Sequence, residues 1–287
     1  MNKIAIVTDS NSGLKPSEVE GRNIYIVPMP FLIDGEEYFE GINLDNDGFY
    51  EKLNSGSSVS TSQPSIFSIQ NLWDELLKKY DHIIYMPMSS GLSASCENAK
   101  KLAENYTSKV YVIDNKRISV TLKCAVLDAE KMANDGKSVE EIVEFLNTTS
   151  MQSTIYIMVP NLKYLKKGGR LTPAVAMIGT MLNIKPVLTI QGGKLDNYVK
   201  VMSIKHAIKA MIKAMRDDME KRFGDIATSG KFEVFVAYTF NLDDAKKFAS
   251  DLESELGVKI SVIDPLSLSV ACHIGPNALA VAGSIRY

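Results

Sequence analysis

The first half of the chain alternates short apolar runs with amphipathic stretches. Residues 4–7, 25–27, 83–86 and 110–113 are apolar β-type runs, while residues 65–80, 93–105 and 119–134 repeat apolar positions at helical spacing. Strands apolar on both sides, each followed by a helix of period 3.6, predict a parallel sheet with helices on both faces. Between the first strands and the third, residues 31–39 read as a hairpin, because Asp34-Gly35 suits a tight two-residue turn.

The pattern changes near residue 150. Ser138-Val-Glu-Glu141 forms a capping box for a helix ending near Asn147, and residues 148–150 break the periodicity. Strands are then expected over 155–159, 185–190 and 198–202, the last two joined by a turn at Gln191-Gly-Gly193. A helix over 203–223, a strand over 232–238, a helix over 242–256 and a strand over 259–263 follow. The fold class is α/β: a parallel-sheet unit over residues 1–150, and a second α/β unit containing antiparallel strands over 151–287. The C-terminal segment is free to return to the first unit. With no Pro/Ser-rich linker between them, the units should pack closely, and the cleft between them is the default ligand site.

Composition narrows the class. Apolar residues are 45% of 287 and charged residues 23%, with a formal net charge of -2. That is enough apolar material for a core, and it offers no general attraction to nucleic acid or anionic membrane. Cys96, Cys124 and Cys272 are odd in number and lack metal-ligand spacing, so neither a disulfide framework nor a metal site is expected. The N-terminus reads as a strand and not as a secretion signal, and no apolar run approaches the length of a membrane span. A cytoplasmic protein without integral membrane association is the expectation.

Four segments carry candidate chemistry. Thr8, Asp9 and Ser10 end the first strand, where ligands of parallel sheets sit, although Asp and Ser also cap helices there. Ser60-Thr-Ser-Gln-Pro-Ser65 brings hydroxyls, Thr61 and Ser62 among them, to a helix start, with Pro64 at a first-turn position. There they and the free amides could bind a carboxylate or phosphate; a polar loop ending in a helix cap is the plainer reading. In Met88-Ser-Ser-Gly-Leu-Ser-Ala-Ser95, Gly91 permits a tight turn, which lets backbone amides and the Ser93 hydroxyl converge on an anion. Gly91-Leu-Ser93-Ala-Ser95 also mimics the G-x-S-x-G elbow of hydrolases, with Asp264 and His273 downstream in triad order. A serine esterase or acyl hydrolase using Ser93 is therefore the alternative. Lys163-Tyr-Leu-Lys-Lys-Gly-Gly-Arg170 reads as a helix C-terminus from which Arg170 could reach an oxyanion, and a surface ion pair is its plainer role. His273 precedes a Gly-Pro turn with no second ligand beside it. Neither a phosphate loop nor a dinucleotide fingerprint is present.

Taken in order, Ile6-Val-Thr-Asp-Ser10, Thr61-Ser-Gln-Pro64, Ser89-Ser-Gly-Leu-Ser93, Lys167-Gly-Gly-Arg170, Lys185-Pro186 and His273-Ile-Gly-Pro276 resemble the DegV family across essentially the whole chain. These are fatty-acid-binding proteins that serve bacterial fatty acid kinase. The chain departs from the pattern at Ala94 and Asn277, where glycine is common, and at Thr172, where serine is. The resemblance implies a lipid-binding carrier, not an enzyme, that holds one long-chain fatty acid in a buried tunnel and uses no cofactor. It implies Thr61 and Ser93 as hydroxyl anchors, Ser62 and Gly91 as loop-shaping residues, and Arg170 and His273 beside the head group. A separate ATP-dependent fatty acid kinase would be the partner, feeding acyl-phosphate to phospholipid synthesis. A binding protein for another amphiphile is a further reading.

Overall fold

Apolar residues alternate faces along β1 (Ile4–Asp9), and that alternation builds the first sheet. The computed structural model describes residues 3–170, 173 and 184–287, so Thr172 lies outside it. Strands β2 (Ile24–Val27), β6 (His82–Met86) and β7 (Val110–Val112) join β1 in the order β2-β1-β6-β7, all parallel. Ile4 and Ile6 face helices Ser119–Asn134 and Val139–Thr148 through Leu122, Val126 and Ile142. Ala5 and Val7 face helices Ile66–Leu76 and Ser95–Ala103 through Trp73 and Ala99. The expected two-sided parallel sheet is present.

A small antiparallel sheet stands apart. Strands β3 (Pro30–Ile33), β4 (Glu36–Phe39) and β5 (Val59–Thr61) pair in the order β4-β3-β5. The turn lies at Asp34 and Gly35, with φ of 52° and 90°, as the tight hairpin requires. Phe31, Phe49 and Val59 bury themselves against Leu268, Ala271 and Cys272 of the helix Leu268–Ile274. An early segment of the chain thus grips a late one.

The third sheet is mixed. Its strands are β8 (Ser153–Met158), β9 (Lys185–Ile190), β10 (Leu195–Val201), β11 (Phe232–Tyr238), β12 (Ile260–Pro265) and β13 (Leu279–Ile285), in the order β10-β9-β8-β13-β11-β12. β11 and β12 are parallel and the other pairings antiparallel. One face, with Tyr156, Met158 and Val281, packs on helices Ile204–Asp218 and Leu242–Leu256. The opposite face, with Ile155, Ile157, Ala280 and Ala282, turns toward the first sheet.

Several boundaries differ from the pattern reading. The helix expected over 203–223 is α-helical to Asp218 and continues as a π turn, Met219–Phe223. Pro64 precedes the helix cap instead of opening the first turn: Ser65 is the cap and its hydroxyl accepts from the Ser68 amide at 3.0 Å. The helix expected from 93 begins at Ser95. Thr61 ends a strand and does not sit in a loop. β13, at the centre of the mixed sheet, has seven buried residues in a row, so it shows none of the polar alternation that marks a half-exposed strand.

Polar contacts lock the layers together. Lys123 Nζ donates to Glu18 Oε1 and Asp264 Oδ2, each at 2.8 Å. Arg286 reaches Asp128 at 2.9 Å and Glu233 at 2.8 Å. Ser89 Oγ donates to the Gly193 carbonyl at 2.9 Å, tying the β6 loop to the β9–β10 turn. Gly91 belongs to the same junction. The expected turn is present, closed by the Leu92 amide on the Ser89 carbonyl at 3.0 Å, but with an ordinary φ it does not itself demand glycine; a Cβ there would instead collide with the Gly193 carbonyl. Gly91→Ala is accordingly expected to destabilise the fold by about 1–3 kcal/mol through overpacking. Denaturant unfolding should show a lower midpoint at unchanged slope, and a wild-type midpoint would contradict the close-approach role.

Candidate functional site

An apolar cavity lies between the packed layers. The cavity has a volume of about 480 Å³, within the range of ligand pockets. Its sheet wall follows from strand periodicity. Ile155 and Ile157 on β8, Ala280 and Ala282 on β13, and Ala237 on β11 all point the same way. Ala237 pairs with Ala280, so two small side chains stand side by side near the centre of the sheet, with Ile157 next in the row. Large residues in those places would close the space. Leu165, Ile118, Leu266 and Ile274 complete the apolar surround.

All six residues singled out in sequence, Thr61, Ser62, Gly91, Ser93, Arg170 and His273, line the cavity, and Ser62, Gly91 and Arg170 are exposed, marking its mouth. Thr61, at the end of β5, and His273, near the end of helix Leu268–Ile274, are hydrogen-bonded through Oγ1 and Nε2 at 2.9 Å. The imidazole fits because residue 168 is glycine; a Cβ there would overlap His273 Nδ1. Gly275 likewise accommodates the Tyr164 ring. The Lys-Gly-Gly-Arg and His-Ile-Gly-Pro segments therefore meet through their glycines.

Burial, then the nearby Arg170 charge, pushes the His273 pKa down to about 4, so the ring is neutral near pH 7. His273 Nδ1 is buried and has no hydrogen-bond partner among the described residues. An orphaned lone pair is easier to tolerate than an orphaned N–H, which places the proton on Nε2, donating to Thr61 Oγ1. The Thr61 hydroxyl proton is then free to donate into the cavity. Ser93 Oγ accepts from the Ser95 amide at 3.2 Å and keeps its own proton available. Arg170 is exposed, donates one bond to the Gly168 carbonyl at 3.0 Å, and has no acidic partner among the described residues. The mouth thus offers two hydroxyl donors and a guanidinium, a set suited to a carboxylate or phosphate.

The hydrolase alternative fails on geometry. A triad needs the acid on one imidazole nitrogen and the serine on the other. Asp264 is instead paired with Lys123, His273 Nε2 is engaged by Thr61, and no carboxylate reaches Nδ1. Elsewhere the plainer readings hold. Asp9 is buried with its pKa raised to about 6 by desolvation, and it accepts from the amides of Asn11 at 2.9 Å and Met88 at 2.8 Å, tying two loops together. Lys185 Nζ donates to the Pro160 carbonyl at 3.2 Å. Asn277 takes φ of 63°, the left-handed conformation in which glycine is common and asparagine tolerated. All three cysteines are free and buried. Cys96, Glu97 and Asp114 lie close enough to share a cation, but Lys100 and Lys116 already pair with the carboxylates, and burial lifts the thiol to about 12.

Sequence reasoning missed the sheet wall and three polar lining residues, Asn11, Ser119 and Ser269. The period-two alanines of β13 were the available signal for the wall. Nothing in the local sequence marks the polar three, which meet only through tertiary packing.

Comparison with known proteins agrees with this architecture. The family model for DegV, described as an uncharacterised protein family, matches residues 3–285. A DegV domain-containing protein of Caldanaerobacter subterraneus is 31% identical over 283 residues, covering 98% of each chain. Among solved structures, a fatty acid binding DegV family protein of Streptococcus agalactiae superposes with a TM-score of 0.89 at 28% identity, covering 100% of both chains. DegV of Bacillus subtilis, described as a fatty acid binding protein, gives 0.87 at 26% identity, also over 100% of both. Motifs, three-sheet architecture and whole-length matches converge: this chain belongs to the DegV family.

Proposed function

We propose that this chain is a carrier for one long-chain fatty acid, with the tail along the sheet wall and the carboxylate at the Thr61–Ser93–Arg170–His273 mouth. The observation that carries the reading is a cavity lined by alanine and isoleucine of the mixed sheet together with hydroxyl donors and one cation. Burying about sixteen chain carbons at about 0.8 kcal/mol each sets a ceiling near 13 kcal/mol, from which association and ordering costs subtract. A buried carboxylate without partners would cost several kcal/mol; the mouth supplies them. The fatty-acid-binding relatives in Streptococcus and Bacillus support the same ligand class. In this reading residues 1–150 and 151–287 are two units closing over the acyl chain, with Ser62 and Gly91 shaping the loops around its head.

The carboxylate end is the accessible one, since Ser62, Gln63, Gly91 and Arg170 are exposed. That placement supports presentation of the bound acid to a separate ATP-dependent fatty acid kinase, with this chain as the lipid-binding partner in the cytoplasm. Among the described residues no helix is long and apolar enough to cross a membrane.

Lipid extracted from purified, denatured protein should contain about one fatty acid per chain by mass spectrometry. Ala280→Phe, which fills the centre of the wall, should cut retention at least about tenfold, equivalent to 1.4 kcal/mol, while keeping a cooperative melt. Full occupancy in that variant would place the ligand elsewhere. A second outcome concerns the partner. Acyl-phosphate should form from loaded protein and ATP only after the kinase is added, and Arg170→Ala should reduce that rate more than it reduces fatty acid retention. ATP turnover by the chain alone would contradict it.

A further inference from the structure

The carrier reading accounts for the polar mouth but not for a second polar patch on the cavity wall. Ser119 lines the cavity, is 6% exposed, and its hydroxyl has no hydrogen-bond partner among the described residues. It opens the sixteen-residue helix Ser119–Asn134, whose preceding residue, Ile118, cannot cap it, so the free amides of the first turn are left at the same place. Its φ of 55° is a conformation that glycine would adopt without strain, yet the position carries a hydroxyl. The Ser10–Ser12 turn packs on this helix, and its Asn11 is 2% exposed, with Oδ1 accepting from Ser269 Oγ at 2.6 Å and Ser267 Oγ at 3.0 Å. Asn11 Nδ2 donates to the Met88 thioether at 3.1 Å, a weak acceptor, which leaves its second N–H uncommitted. Asn11 and Ser269 line the cavity as well.

Ser269, and Asn11 bonded to it, are set back from His273. Ser269 and His273 lie one turn apart on the same helix face, about 6 Å along its axis. A plain hydrocarbon tail passing Ser119 would leave the hydroxyl and the first-turn amides unpaired in an apolar space. The charge pattern fixes the polarity of the ligand. Arg170 is the charged cation among the described lining residues, so the carboxylate belongs at the mouth and a neutral oxygen at Ser119. Resting on the fatty-acid reading and narrowing its ligand class, we propose that Ser119, Asn11 and Ser269 form an oxygen-accepting subsite and that the preferred ligand is a fatty acid bearing a hydroxyl group on its chain.

The test is competition on the full, delipidated chain. Stearic acid is offered together with its β-hydroxy and mid-chain hydroxy derivatives, and the bound species are quantified by mass spectrometry. One hydroxy isomer should be enriched about fivefold over stearic acid, as expected for one net hydrogen bond. Ser119→Gly removes the hydroxyl and suits the positive φ, so it should fold normally, hold stearic acid as the wild type does, and lose the enrichment. Equal binding of all the acids by the wild type overturns the subsite, as does enrichment that survives Ser119→Gly. Loss of stearic and hydroxy acids together in a variant that melts normally assigns Ser119 to cavity shape and also overturns it. A wild type that binds none of the acids refutes the carrier reading itself, a result distinct from equal binding.

Discussion

The hydrogen bond between Thr61 and His273 joins residues 212 positions apart, and the site exists because that bond can form. It requires the small β4-β3-β5 sheet to rest on the helix Leu268–Ile274, which the Phe31, Phe49 and Leu268 cluster accomplishes. It requires glycine at 168 so that the imidazole has room. It also requires His273 to stay neutral, which burial enforces. Under these conditions one hydroxyl proton is directed into the cavity. A charged imidazole would add a cation to the mouth and alter its preference; a displaced helix would leave Thr61 with nothing to orient it.

The cavity itself is a packing choice. Large side chains fill the first sheet on both faces, but the mixed sheet carries alanine at 237, 280 and 282 on the inner face. Those residues forgo dispersion contacts that larger side chains would make. A ligand occupying the space restores such contacts and stabilises the folded chain by mass action. The Lys123–Glu18–Asp264 and Arg286–Asp128–Glu233 groups hold the layers at the separation the cavity needs. Lys123 and Asp128 are largely buried, so removing one partner would strand a charge.

Much of the fold was legible because its signals are local. The Asp34-Gly35 hairpin, the Ser138–Glu141 capping box and the 119–134 helix each depend on a few neighbouring residues. β13 was not legible, since a strand buried on both faces has no alternation to detect. The mouth residues could be located from motifs, yet their mutual arrangement could not. Gly91 and Gly168 look like turn and helix-end glycines in sequence and are so placed, but their close approach to Gly193 and His273 could not be read there. Asp264 and His273 suggested a triad by their order alone, and tertiary packing sent Asp264 to Lys123 instead. Asn11, Ser119 and Ser269 carried no local mark because each is an ordinary cap or turn residue type until the layers assemble.

The most direct test of the central claim is a crystal structure of the chain loaded with a fatty acid carrying bromine at its terminal carbon, located by anomalous scattering. The carboxylate is expected within hydrogen-bond distance of Thr61 or Ser93, with the bromine among the apolar residues lining the cavity. Bromine at the mouth beside Arg170, or a ligand lying outside the space between the sheets, would contradict it.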